Sequence, residues 1–193
     1  MGINGAVQIT DGINIYEDAE IDSSPLMASF ANPNSNNASQ TSLGRRSVLT
    51  EAHFVFGFTV YPDNYDQYIG KIDDFKGYTE EIYQLFKKAS LSAVTEYQSV
   101  AKDGCANEFA LFVNFKEDCL VSVTNLHLYI DYYKENNIGV FDVTRLVKYL
   151  NKFTKDIENI ELYYNEVSCK FKGLEDLKCD VQKKSILDES ELD

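Results

Sequence analysis

Hydrophobic and polar positions change period along the chain in short blocks, each of which predicts an element. Gly5-Ala6-Val7-Gln8-Ile9 reads as the first strand, ended by the turn pair Asp11-Gly12. From Ile13 to Ile21, Ile13, Ile15 and Glu17 alternate against Asn14, Tyr16 and Asp18. Asp22 to Ser42 follows, with Pro25, Pro33 and a run of Asn, Ser and Gln. Such composition buries too little apolar area to fix itself in place, so it reads as a long mobile loop. The strongest strand is His53 to Tyr61, HFVFGFTVY, which is apolar on both faces as a central, doubly covered strand would be.

Helical spacing takes over after Gly77-Tyr78-Thr79. Thr79 is the expected N-cap, and Glu80 and Glu81 favour the positive end of the helix dipole. Ile82, Leu85, Phe86, Ala89 and Ala93 form the expected buried stripe, with Lys87 and Lys88 on the solvated side. A polar loop around Lys102-Asp103-Gly104 leads to a second strong strand, Phe109 to Phe115. Asn125 to Lys134 reads as helical. Asp142 caps a helix with Val143, Leu146, Val147, Leu150, Phe153 and Ile157 on one face, and Ile160 to Tyr164 reads as the last strand. The tail from Gly173 mixes Lys with acids and ends in Asp188-Glu189-Ser190-Glu191-Leu192-Asp193, a disordered composition. The order predicts an α+β fold of one sheet with helices packed on it.

The 193 residues suit one domain, and 44% hydrophobic content is enough for a core. The formal charge of −13 argues against autonomous binding to a phosphate backbone, although one local basic surface would survive it. No basic segment followed by an apolar run opens the chain and no stretch has the length of a membrane span, so a cytoplasmic location is expected. Cys105, Cys119, Cys169 and Cys179 stand far apart, which favours reduced, mostly buried thiols over a metal site.

Little here supports catalysis. His53 and His127 are the only histidines, and neither has a Ser, Cys or carboxylate partner at a recognisable spacing. Asp73-Asp74, Glu80-Glu81 and Glu117-Asp118 lie at loops or helix starts, where acids partner dipoles and solvent. No glycine-rich phosphate loop follows a strand. The expectation is a protein that is not an enzyme and carries no cofactor or metal. Three features fit RNA. Gly44-Arg45-Arg46 closes the polar loop, and Ser99 to Asn107 brings Lys102 and Gly104 to where backbone amides and one charge could meet phosphate. Aromatic side chains on a sheet face would stack on bases. The plainer reading is a commonplace Arg pair at a loop end and aromatics that belong to the core.

Taken in order, several segments carry a family resemblance. Ile3-Asn4-Gly5-Ala6-Val7-Gln8-Ile9 is similar to the I-T-G-A-V-Q strand of the type I-B branch of the Cas-seven (Cas7) family, the backbone subunits of CRISPR surveillance complexes (Cascade). Tyr16-Glu17-Asp18 follows like that branch's Y-E-D, then a polar insertion ending in Ser42-Leu43-Gly44. Glu51-Ala52-His53-Phe54, Pro62-Asp63-Asn64-Tyr65-Asp66 and Gly77-Tyr78-Thr79 resemble its E-A-H-Y, P-x-N-Y-D and G-Y-T segments. Gly104-Cys105-Ala106-Asn107-Glu108-Phe109-Ala110-Leu111-Phe112 looks like its G-C-x-N-E-F-A-L-F stretch, and Asp142-Val143-Thr144 and Ile160 to Tyr164 continue the match.

The resemblance implies a modified RNA-recognition (ferredoxin-like) fold over residues 1–172, lacking its first strand and helix. It implies a thumb-like polar insertion over 22–50 and places the loop with Lys102 and Gly104 near RNA; Arg45 and Arg46, which match no family contact position by position, are expected to meet phosphate, and composition makes 173–193 an acidic tail. Expected partners are subunits of a type I CRISPR complex and guide RNA, in filament assembly for antiviral defence. The missing strand would leave an open edge beside His53 to Tyr61, which would recruit another strand or drive self-association. The same features fit a second role, a subunit mimic acting as an anti-CRISPR inhibitor at the subunit interface.

Overall fold

The computed structural model describes residues 3–29, 41–97, 99, 103–117, 119 and 123–187. In chain order the strands are β1 (Val7–Ile9), β2 (Ile13–Asn14), β3 (Ile21–Ser29), β4 (Thr41–Leu49), β5 (Phe54–Val55) and β6 (Phe58–Val60). Helix α1 (Glu80–Glu96), β7 (Phe109–Phe115), β8 (Asp131–Glu135), β9 (Ile138–Asp142) and α2 (Thr144–Leu150) follow. The described chain ends with β10 (Ile157–Tyr164), β11 (Cys169–Lys172) and β12 (Val181–Ser185). This is a mixed α+β architecture, but the strands do not share one sheet. Two three-stranded sheets, β12-β10-β7 and β11-β9-β8, stand beside three ribbons, β1-β6, β2-β5 and β3-β4.

The core lies where α2 meets the two larger sheets. Leu146, Val147 and Leu150 of α2 pack with Ile157 and Ile160 of β10, Phe141 of β9 and Cys169 of β11. Their helical spacing turns one apolar stripe inward, and truncating any of these Leu or Ile side chains to Ala would cost about 2–5 kcal/mol. A second, smaller cluster sets Leu91 of α1 on Phe112 of β7 and Tyr163 of β10.

Several expectations are corrected. The HFVFGFTVY segment is two short strands, because Gly57 leaves the ladder. Its N–H donates to Thr10 Oγ1 at 2.9 Å and its carbonyl accepts from Thr10 N at 2.9 Å. That hook turns the chain from β2, the partner of β5, to β1, the partner of β6. A side chain cannot replace it, since a Cβ at Gly57 would stand 2.5 Å from Nδ1 of His127. Phe54 and Phe56 are exposed at 56% and 47%, so the segment is not covered on both sides.

The polar stretch 22–42 is not a structureless loop at its ends. β3 and β4 pair antiparallel from Ile21↔Leu49 to Ser29↔Thr41, and residues 30–40 lie outside the described residues. Pro25 sits in this two-stranded ribbon, where an unpaired edge tolerates a missing N–H. Asn125 to Lys134 is a 3₁₀ turn (Leu126–Tyr129) followed by β8 rather than a helix. Tyr132 and Tyr133 favour a strand, and Asn136 and Asn137 take positive φ (52° and 63°) to close a two-residue hairpin onto β9. Helix α2 stops at Leu150, leaving Phe153 in the following turn and Ile157 in β10.

The segment from Gly173 is ordered, not a tail. Val181–Ser185 pairs in parallel with β10 from Ile160 to Tyr164, and Leu174 and Leu177 pack against the main core. Apolar residues spaced through the lysines supply that anchoring. Residues 188–193 lie outside the described residues.

Helix α1 keeps its predicted start, with Thr79 Oγ1 accepting from Ile82 N at 3.4 Å. Its orientation is the reverse of the expected one. Lys87 is buried with Leu91, whereas Ile82 and Leu85 are 42% and 66% exposed and Ala89 and Ala93 are exposed. The reason is an ion pair described below. The cysteines also depart from expectation, since Cys169 is buried, Cys105 is exposed, and Cys119 and Cys179 are half-buried.

Candidate nucleic-acid interface

The β3-β4 ribbon carries the Arg pair on its return strand. Arg45 lies opposite Pro25 and Arg46 opposite Ser24, and both are exposed. Successive residues of a strand point to opposite faces, so the two guanidinium groups serve different sides of the ribbon. Arg46 borders a large groove in the body of the molecule; Gly104 stands on the wall of the same groove. Gly104 has φ +80° with open space where a side chain would be. At Gly104 the backbone is therefore unshielded by any side chain of its own. Lys102 lies outside the described residues.

The root of the ribbon is held by a cluster that sequence spacing concealed. Thr50 N donates to Glu20 O at 3.0 Å, closing the ribbon's base. Just beyond, His53 Nδ1 lies 2.6 Å from Glu108 Oε2 and Nε2 lies 3.0 Å from Glu51 Oε1. The ring stacks on Tyr132 with centroids 3.8 Å apart, and Tyr16 meets it edge-on at 5.6 Å. Burial disfavours the imidazolium, but the hydrogen bonds to Glu108 and Glu51 outweigh it and hold the His53 pKa above its ordinary value. Lys134 Nζ completes the chain at 2.5 Å from Glu51 Oε2, and that hydrogen bond, with the one to His53, lowers the Glu51 pKa.

Contrary to the reading that His53 has no carboxylate partner, it has two. One is two residues away; the other, 55 positions along the chain, is brought alongside only by folding. Burial pushes the Cys169 thiol up to about 11, so it stays protonated at neutral pH. The cluster ties the segment after β4 to the residue before β7 and to β8.

A second buried group fixes the wall on the far side of β7. Lys87 Nζ bridges both oxygens of Glu161 at 2.8 and 2.9 Å. Tyr163 Oη donates to Glu161 Oε2 at 3.0 Å, and Lys184 Nζ of β12 reaches the Tyr163 oxygen at 3.0 Å. The rings of Phe112, Tyr83 and Tyr163 surround the Lys87 ammonium at 5.3–5.9 Å. Burial works to raise the Glu161 pKa, yet hydrogen bonding and attraction from Lys87 lower it overall. On this side of the helix Lys87 and Leu91 meet the sheet, and of the apolar stripe Phe86 packs edge-on against Phe58 of β6 at 5.0 Å.

Among the described residues no three His, Cys, Asp or Glu side chains converge as a metal site, and no helix is long and apolar enough to cross a membrane. No curated protein matches the chain. A family model described as CRISPR-associated protein Cas7 matches residues 1–156, which include the ribbon, its clamp, α1, β7 and α2. The chain belongs to the CRISPR-associated Cas7 family.

Proposed function

We propose that this Cas7-family chain is a non-enzymatic, cytoplasmic backbone-type subunit of a type I-B CRISPR complex, contributing to guide-RNA binding and filament assembly in antiviral defence. The observation that carries the reading is the β3-β4 ribbon, which projects Arg45 and Arg46 from a clamped root within the matched region. In this reading the accompanying fold is a modified RNA-recognition fold. Among the described residues β6 and β7 each pair on one edge only, which leaves an edge for a neighbouring subunit. In this role Arg46 and the Gly104 amides meet phosphate, and Arg45 meets a group on the other side of the ribbon.

The charge of −13 means that the complex, not this chain alone, supplies most of the field that holds RNA. The same charge and the unpaired edges favour one further reading, a subunit mimic that occupies the interface and inhibits assembly. Reconstitution with the other type I-B subunits tests both. Co-migration with guide RNA, weakened by Arg46→Ala, supports the subunit role. Entry into the complex with loss of target binding supports the inhibitor. No association, or sub-micromolar RNA binding by the isolated chain, would refute the proposal.

A further inference from the structure

The β3-β4 ribbon joins the body through two short segments, 15–20 and 50–53, and among the described residues its strands pair only with each other. Thr50 N and Oγ1 both donate to Glu20 O, at 3.0 and 3.3 Å, and so tie the two segments together. Around His53 stand groups from several elements. Glu51 belongs to the same segment, Glu108 precedes β7, and Tyr132 and Lys134 come from β8. Tyr16 meets the ring edge-on from the other segment and lies under the Lys134 ammonium at 5.6 Å. Cys169 of β11 donates to the Glu108 carbonyl at 3.7 Å.

Each ring nitrogen of His53 faces a carboxylate oxygen, Glu108 at 2.6 Å and Glu51 at 3.0 Å. A neutral imidazole has one N–H and one lone pair, so it donates to one carboxylate and turns its lone pair on the other. Only the imidazolium donates to both. With that proton two cations, His53 and Lys134, balance two anions; without it Lys134 alone faces both.

We propose that His53 is a proton-operated hinge at the root of the β3-β4 ribbon: the imidazolium holds the ribbon in one setting against the body, and loss of the proton frees it. The contact with Glu108 is the shorter, so Nδ1 keeps its hydrogen and the lone pair turns on Glu51, the partner on the ribbon's own segment. Glu51 is 37% exposed and swings away to Lys134 and water. The His53 pKa lies above 6.5, so the hold is complete below that value and is lost as pH rises through the folded one. Tyr132, pushed up to about 12, and Cys169, at about 11, keep their protons through that range. Lys134 stays charged and Glu51 ionised, being held above 10.5 and below 4.5 respectively. The hinge does not depend on the functional reading above, because it concerns the ribbon's freedom and not what the ribbon touches.

The test is an NMR titration of the full ¹⁵N-labelled chain from about pH 5.5 to 9, following the His53 ring and the amides of residues 41–49. The ring should titrate above 6.5, the ribbon amides should shift with the same midpoint, and their heteronuclear NOE should fall on the alkaline side. His127, whose pKa burial lowers, titrates apart and serves as the control. Glu108→Gln keeps the ring but weakens its grip on the proton, so both midpoints should fall together by about one unit. His53→Gln should abolish the ribbon step while the β10 amides keep their native shifts. Ribbon amides that stay still while the ring titrates would overturn the proposal. So would a step that survives in His53→Gln, a ring midpoint below 6.5, or a Glu108→Gln variant in which one midpoint moves without the other.

Discussion

Replacing Lys87 with methionine keeps most of the side-chain volume and removes the ammonium that holds Glu161. In the native protein the Glu161 carboxylate is 12% exposed and accepts hydrogen bonds from Lys87 at 2.8 and 2.9 Å. After the change it retains Tyr163 at 3.0 Å and Lys184 at 3.5 Å. Leaving a buried charge without its partner costs about 3–5 kcal/mol, and Lys184 moving closer would hold the loss to the lower end. Urea denaturation should show this as a fall in midpoint at constant slope, and heating as a loss of roughly 6–20 °C in Tm. The double change Lys87→Met with Glu161→Leu should recover most of the loss, because two apolar groups can replace a buried pair at little cost.

The pH dependence supplies an independent sign. Native Glu161 sits below its ordinary 4.5, so its contribution is present above that value and lost as pH falls through the lower folded one. Without Lys87, burial dominates and raises the folded pKa above 4.5, so acidification from pH 7 to pH 5 should narrow the gap between variant and wild type. A loss of less than about 1 kcal/mol for Lys87→Met, or a gap that widens on acidification, would refute the reasoning.

Gly173→Ala should destabilise by about 2–4 kcal/mol in urea, since φ is +83° and a Cβ would lie 2.9 Å from the Thr144 Cα. A change within 0.5 kcal/mol, on the order expected for neutral surface sites, would contradict the packing of β11 and its turn on α2. His53→Gln should cost about 1–2 kcal/mol near pH 6, because both charge-assisted hydrogen bonds go. The raised His53 pKa contributes stability that is complete below the ordinary 6.5 and lost as pH rises through the folded value, so the difference should shrink by pH 8.5. Thermal melts at the two pH values measure it, and a difference that grows with pH would count against the clamp. Amide exchange should be fast in β3 and β4 of the isolated chain, because among the described residues each strand pairs only with the other and a lone two-stranded ribbon is marginal in water. Protection there equal to that of β10 would show the ribbon to be held elsewhere.

What was legible in the sequence was local. Thr79 with its following acids marked the start of α1, and the block from Phe109 to Phe115 marked β7, because caps and short apolar runs need no distant partner. The Asn136-Asn137 turn is also written locally, between Tyr132-Tyr133 and Val140-Phe141, although the spacing from Asn125 to Lys134 reads as helical. The orientation of α1 was not legible. Its apolar stripe obeyed the helical period, but Glu161 lies 74 positions away and pulls Lys87 inward. The His53 clamp was hidden in the same manner, since Glu108 joins it only through folding. Arg45 and Arg46 read as a pair, whereas a strand divides adjacent residues between two faces.

The parallel pairing of β12 with β10 makes the end of the described chain part of the ion pair's enclosure. β10 has its antiparallel partner β7 on one edge and β12 on the other. Lys184 of β12 reaches the Tyr163 oxygen beside Glu161. The last strand therefore acts as a latch on the sheet that carries the buried charge. Without residues 181–185 that edge of β10 would stand open, and the Lys87–Glu161 pair would lose the cover that β12 gives it.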